Sequence, residues 1–253
     1  MTFNEISTSL QNIPYMSASK GSIIYKMILS NEIHDILELG TAYGTGSCYM
    51  AAALHEKRKG SVVTIDRHVG MNYSPNVFEL LEKTRLSAFV TPIFSHSSYT
   101  WELMKIIDRQ TIDGRCKPIF DLVYIDGAHN FEIDCCAFFL ADKLLRPGGY
   151  VLFDDLNWTY NKSPALKDSD WVRNMAEDEK TTPHIRKLVD LVVKTHTGYD
   201  NFSTIEDWFM ARKKSDNIDR ASGIAELHNY KQKPGFLQRI RSRLTQRSIK
   251  LRS

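Results

Sequence analysis

Asp35-Ile-Leu-Glu-Leu-Gly-Thr-Ala-Tyr-Gly-Thr-Gly-Ser47 sets the architecture of this 253-residue chain. Five residues of buried-strand character run into glycines, and a helical pattern follows. A strand that turns on glycine into a helix lets backbone approach a ligand, with the unpaired N–H groups of the first helical turn facing it. The spacing is GxxxGxG (Gly40, Gly44, Gly46), whereas the dinucleotide fingerprint is GxGxxG. Glu38, two residues before the first glycine, would repel a pyrophosphate. A ligand with sulfonium and ammonium charge, such as S-adenosyl-L-methionine, suits the loop better. The competing reading is a glycine turn with no ligand.

Outward from that loop, short β-branched runs alternate with helical patterns, which predicts parallel strands joined by crossover helices in a doubly wound α/β sheet. Further strands are expected at Ser61–Asp66, Val90–Phe94, Asp121–Ile125 and Tyr150–Phe153, with Pro92 favouring an edge position for the third. Ile133, Cys136, Ala137, Leu140 and Leu144 recur at helical spacing, and Arg146-Pro-Gly-Gly149 reads as the stop of that helix. The polar stretch 157–182, with Trp158, Tyr160 and Trp171, reads as a lid or substrate loop. A helix over about 183–194 and a closing antiparallel pair, 202–205 with 208–211, complete the pattern. The division expected is an N-terminal helical segment (1–33), a main domain (34–214), and a variable linker with a basic tail (215–253).

Asp66 ends the second strand, where it is placed to accept hydrogen bonds from ribose hydroxyls. The fourth and fifth strands end in Asp126-Gly-Ala-His129 and Asp154-Asp155. Neighbouring parallel strands lie about 4.8 Å apart, so these carboxylates converge. Clustered acids repel unless protonated or neutralised, and all-oxygen ligation selects Mg²⁺, with Mn²⁺ or Ca²⁺ as alternatives. Such an ion brings bound water from about 15.7 to about 7 and acts similarly on an alcohol, and His129 is positioned to take the proton. The competing reading of His129 is a cap on the following helix.

With Met16-Ser-Ala-Ser-Lys-Gly21, the glycine loop, Asp66, Asp126-Gly-Ala-His129 and Asp154-Asp155 in hand, residues of about 15–213 resemble the class I S-adenosylmethionine-dependent methyltransferases. The resemblance is to their metal-dependent O-methyltransferases, of the catechol type and of the macrolide-sugar type with its cephalosporin-hydroxylase-like relatives. It implies a Rossmann-like, seven-stranded, mostly parallel sheet with an antiparallel last strand. Carried over by position, Asp126, Asp154 and Asp155 match metal ligands. Met16, Glu38, Gly40, Gly44, Ser47, Asp66, Arg67, the Ser95-His96-Ser97 turn and Asp126 match cofactor contacts, and His129 matches the base. The catechol type has lysine where His129 stands and the sugar type has histidine, which points to a hydroxyl of a sugar or glycan-like small molecule. The family commonly has glycine at Ser95, and the sugar type often has glutamate at Asp154. A non-catalytic binding module, or an enzyme for a phenol or amine, are the alternatives.

Composition is that of a globular chain, with 42% hydrophobic and 25% charged residues. No apolar run approaches the roughly 18 residues of a spanning helix. The start shows no basic-then-apolar leader, so a cytoplasmic protein is expected. Net charge is +3, yet residues 231–253 carry eight basic residues and no acid, which leaves 25 basic against 30 acidic residues in the body. That body is not built for phosphate backbones, and no nucleic-acid partner is expected. In the tail, Leu237, Ile240, Leu244 and Leu251 form a stripe among arginines. Over 236–252 such a helix suits an anionic membrane surface, a partner subunit (a second copy of the chain included), or solvent. The cysteines (Cys48, Cys116, Cys135, Cys136) show neither CxxC nor zinc spacing, and buried, reduced thiols are expected.

Overall fold

The computed structural model describes residues 1–215. Its sheet is built around β1 (Asp35–Leu39), which pairs in parallel with β2 (Ser61–Arg67) on one side and β6 (Phe120–Ile125) on the other. β3 (Val90–Ser95) forms one edge, as Pro92 demands, because proline cannot donate to a ladder on both sides. Beyond β6 lies β7 (Leu145–Phe153), and the closing pair β8 (Tyr199–Ile205) and β9 (Trp208–Lys213) follows in the order β3-β2-β1-β6-β7-β9-β8. β9 runs antiparallel to β7 and lies between it and β8. The sheet is therefore the expected mostly parallel, Rossmann-like one, and a two-residue hairpin, β4 (Thr111–Ile112) with β5 (Arg115–Cys116), stands apart from it.

Strands buried on both faces read as unbroken apolar runs, and here alternate residues feed two cores. Ile36, Val62, Leu122 and Leu152 face a layer made by α1 (Phe3–Ser9), α2 (Ala18–Ser30), α3 (Thr45–Lys57) and α4 (Val77–Thr84). Leu37, Ile65, Val123 and Val151 face α5 (Tyr99–Gln110), α6 (Phe131–Leu144) and α9 (His184–Leu188). The N-terminal helices join the first core: Phe3 packs on Tyr25 and Tyr49, with ring centres 5.4 and 5.7 Å apart. Met1–Lys214 is one compact unit.

Two expectations need correction. α6 buries Asp134, Ala137, Phe138, Ala141 and Leu144, so its inner stripe is rotated from the expected one and Ile133 lies outward. Cys136 is exposed and Cys135 half-buried, so only Cys48 is a core thiol, although all four are free. α6 ends at Leu144, just before Arg146-Pro-Gly-Gly149 as expected, and that stretch already belongs to β7, with a register shift against β6. The helix expected over about 183–194 is present, α9 continuing beyond Leu188 as a π turn at Val189–Val193. The stretch 157–182 carries a 3₁₀ turn (Tyr160–Lys162) and two short helices, α7 (Asp170–Arg173) and α8 (Glu177–Thr181).

At the amino end of the sheet, Arg146 bonds Asp121 at 2.6 Å and Asp35 at 2.9 Å, tying β1, β6 and β7 together. Asp121 also accepts the amides of His34 and Asp35. The pair is partly solvated, so its value is that of a good surface network, about 1 kcal/mol. Arg146→Ala should lower the melting temperature by about 2–4 °C in a thermal melt and leave ligand affinity unchanged, because the residue lies at the end of the sheet opposite the site below.

Candidate active site

The carboxyl edge of the sheet is held in register one residue beyond the strands. Asp126 N donates to Leu39 O at 2.8 Å, Asp154 N to Ile125 O at 3.1 Å, and Gly40 N to Ile65 O at 2.9 Å. Gly40, Asp126 and Asp154 therefore lie side by side. Gly40 has φ +103°, and a Cβ there would stand 2.0 Å from the Asp126 carbonyl oxygen, so no other residue fits.

Asp126, His129 and Asp155 come together, each offering one ligand atom within 4.8 Å of the others. His129 Nε2 is 3.4 Å from Asp155 Oδ2. Both residues hold left-handed backbone, φ +51° and +53°, a strain that collects at functional sites. Asp154 departs from its expected place. Its oxygens are taken by Lys20 Nζ (2.6 Å) and Tyr124 Oη (2.7 Å), and it also accepts the Asp155 amide at 2.6 Å. The grouping is thus Asp126–His129–Asp155, with Asp154 beside it in an ion pair. Burial and the charges of Asp154 and Asp155 push the Asp126 carboxyl well up. Burial, with the Asp154 charge, raises Asp155 to about 6. Lys20 is opposed by burial, but its hydrogen bond to Asp154 and the charges of Asp154, Asp155 and Asp126 raise it overall. Burial lowers His129, which keeps a neutral imidazole at pH 7.

His129 is not a helix cap. Asn130 caps α6, its side chain accepting the amides of Glu132 and Ile133. The amides flanking His129 are clamped instead: Ala128 N donates to Tyr99 Oη at 3.2 Å and Asn130 N to Asp134 Oδ2 at 3.0 Å, while Tyr99 donates to Asp134. From the 157–182 stretch, the Trp158 ring stands 5.0 Å from His129, and Tyr160 meets Trp158, Trp171 and His184 edge-on.

Beside this group opens a cleft lined by Tyr15, Met16, Glu38, Gly40, Thr41, Ala42, Thr45, Gly46 and Asp126. Glu38 is 1% exposed, paired in register with Thr64 on β2 and Tyr124 on β6. Burial raises its carboxyl to about 7, against hydrogen bonds from Ser47 and Thr64 that favour the ion. Gly44 caps α3 at φ +91°, packed on Val77. Asp66 does not stand free toward the cleft: its Oδ2 accepts the amides of Thr41 (2.9 Å) and Ala42 (2.7 Å), and its Oδ1 that of Arg67. Ser95 is buried opposite Arg67 in the ladder, Ser97 donates back to it, and His96 stacks on His68 with centres 4.6 Å apart. Arg67 and Ser95–Ser97 therefore border the site one strand beyond the cleft.

Residues 37–156 match a protein family described as a methyltransferase domain. That span is a methyltransferase domain, of the S-adenosylmethionine-dependent class. It contains the glycine loop, Asp66, and both strand ends that carry the carboxylates. No curated protein matches the chain. Solved structures share the fold of this methyltransferase at low identity. An O-methyltransferase from Bacillus cereus in complex with SAH is 18% identical (84% of this chain and 90% of that one, TM-score 0.56). The O-methyltransferase TomG from Streptomyces achromogenes, involved in tomaymycin synthesis and solved with SAM, is 20% identical (84% and 89%, TM-score 0.55). The SAH-bound methyltransferase PaMTH1 of Podospora anserina is 16% identical (85% and 88%, TM-score 0.58).

Sequence reading did not single out Tyr124, Tyr99 or Asp134 as parts of this candidate site, and it placed Lys20 only within the Met16–Gly21 motif, without a partner. Tyr124 had a signal, since it shares a strand face with Asp126 two residues on. The basic amphipathic stripe of 236–252 lies outside the described residues, and among the described residues no helix is long and apolar enough to cross a membrane. Glu38 generates a prediction. Its raised value means that ionised Glu38 costs stability as pH climbs from its ordinary 4.5 to about 7, and the cost is complete above that. Glu38→Gln should therefore stabilise the protein at pH 8, by up to about 3 kcal/mol, seen as a raised melting temperature, and should not do so at pH 4. It should also weaken S-adenosylmethionine at least tenfold in a calorimetric titration.

Proposed function

We propose that this methyltransferase acts on oxygen, moving the methyl group of S-adenosylmethionine to a hydroxyl of a sugar or glycan-like small molecule in the cytoplasm. The observation that carries the reading is the convergence of Asp126, His129 and Asp155 beside the cleft that holds Glu38. S-adenosylmethionine, when bound, supplies an electrophilic methyl group and a positive charge. Glu38 answers that charge from the floor of the cleft, and Met16, Gly40, Gly44 and Ser47 shape the cleft or orient Glu38. Asp66, with Arg67 and the Ser95-His96-Ser97 turn, borders it on the side where a nucleoside would extend.

The carboxylate oxygens of Asp126 and Asp155 suit a hard divalent ion, Mg²⁺ or Mn²⁺. Asp126 and Asp155 would hold it, and it would supply Lewis-acid lowering of a hydroxyl pKa. His129, neutral and fixed by the Tyr99–Asp134 clamp, accepts the hydroxyl proton. The Trp158 ring next to it offers a flat apolar wall against which a sugar face packs. No side chain needs to bond covalently to the acceptor, so positioning and charge placement provide the rate.

Purified full-length protein, methyl-labelled S-adenosylmethionine and a panel of hydroxyl, phenol and amine acceptors test the reading. Label should appear on sugar oxygen, fall with chelator and return with Mg²⁺ or Mn²⁺. Label on amine or phenol alone would overturn it. His129→Ala should cut turnover about 10²–10⁴-fold, while affinity for S-adenosylmethionine stays within about threefold.

A further inference from the structure

A segment that buries few side chains needs a fixed point, and for residues 157–182 that point is α9. Ile185, Leu188 and Val189 seat it in the core on the second face of the sheet. Two of its side chains then reach the segment. Arg186 bonds Asn157 Oδ1 at 2.7 and 3.1 Å, while Asp207 accepts the Asn157 backbone and side-chain N–H groups at 3.0 and 2.7 Å. His184, 7% exposed, holds the far end. Its Nδ1 accepts the Phe131 amide at 3.1 Å, and its Nε2 donates to the Glu179 carbonyl of α8 at 2.9 Å. A donor amide at one nitrogen and an acceptor carbonyl at the other fit only the neutral ring with its proton on Nε2. α8 buries no side chain of its own, so this bond carries much of its hold on the body.

Both sides of the clasp lead to His129. Phe131 opens α6 two residues beyond it, and Asn130 caps the amides of Glu132 and Ile133, which leaves the Phe131 amide to His184. Tyr160, fully buried, meets the His184 ring edge-on at 5.1 Å and the Trp158 ring at 4.7 Å, and its Oη stands 3.5 Å from the Ala128 carbonyl oxygen. Trp158 is the ring beside His129.

We propose that His184 is a positioning residue for the methyl acceptor: by tying the Glu179 carbonyl to the Phe131 amide and backing Tyr160, it holds the 157–182 segment closed on the His129 turn, so that Trp158 stands as a preformed wall of the acceptor site. This rests on the reading of His129 as the proton acceptor for a bound hydroxyl. The imidazole of His129 has its own clamp in Tyr99 and Asp134, so loss of His184 frees the wall and leaves the base in place. The cleft beside Glu38 takes no residue from 157–182, so the donor is held as before.

The test uses the full-length chain and has two arms. In the first, trypsin acts on the native protein without ligands, and cleavage after Lys162, Lys167, Arg173 and Lys180 is followed by mass spectrometry. His184→Ala should be cut there at least about tenfold faster than the wild type, because two buried backbone groups lose their partner and the open form gains population. His184→Gln, whose amide has one acceptor and one donor, should restore most of the resistance. Equal rates for wild type and His184→Ala would overturn the proposal. Should His184→Ala fail to fold, the wild type decides alone: cleavage as fast as in a synthetic 157–182 peptide overturns closure, and cleavage at least about a hundredfold slower supports it. In the second arm, with the acceptor found by the methyl-transfer screen, His184→Ala should raise the acceptor KM at least about tenfold with kcat within about threefold, and His184→Gln should bring it back. A lowered melting temperature with an unchanged KM would overturn the proposal, since it marks a residue that only packs. The first arm needs no methyl transfer, so closure stands or falls there even if label never reaches a sugar oxygen, and an unchanged KM leaves the proposed reaction untouched.

Discussion

Like charges crowded into one place need a partner, and that need organises the carboxyl edge of this sheet. At 4 Å and an effective dielectric of 20, two carboxylates repel by about 4 kcal/mol, and here Asp126, Asp154 and Asp155 gather within one cluster. The fold meets the repulsion with Lys20 on Asp154 and with the Tyr124 hydroxyl between Asp154 and Asp126. What remains is a site primed for positive charge. Glu38, buried a strand away, extends the same demand into the cleft. An S-adenosylmethionine-dependent methyltransferase has a cationic donor, so the polarity of the whole edge matches its chemistry.

Topology creates the crowding. Parallel strands end in step, and hydrogen bonds continue one residue past the ladder, so the first loop residues of β1, β6 and β7 are neighbours. His129 and Asp155 then leave the strand ends in left-handed backbone, which folds their side chains back over the edge. The Tyr99–Asp134 clamp, drawn from α5 and α6, holds the His129 turn from below. Core packing on the second face of the sheet is thereby coupled to the position of a side chain on its rim.

The strands were legible because sequence alone shows a segment buried on both faces as an apolar run. Asp126, His129 and Asp155 were legible because residues just past such runs meet at one edge. Lys20 was not, since its partner lies 134 residues away and local rules disfavour a cation at that point in a helix. The inner face of α6 was misread because Ile133 and Cys136 are apolar yet outward, while the polar Asp134 turns inward to bond Tyr99. The stop that Pro-Gly-Gly suggested is where α6 ends, at Leu144, but 146–149 run straight on into a strand, where Arg146 is held by two aspartates.

Asp66 shows where the organisation of the glycine loop comes from. By accepting the amides of Thr41 and Ala42, it acts as an internal anion for the loop that would otherwise need a ligand to order it. The loop's entropy is therefore lost when the chain folds and not when a nucleoside arrives, which favours tighter capture through preorganisation. A carboxylate has about four lone-pair positions, so the same side chain can keep the loop shaped and still receive a hydroxyl.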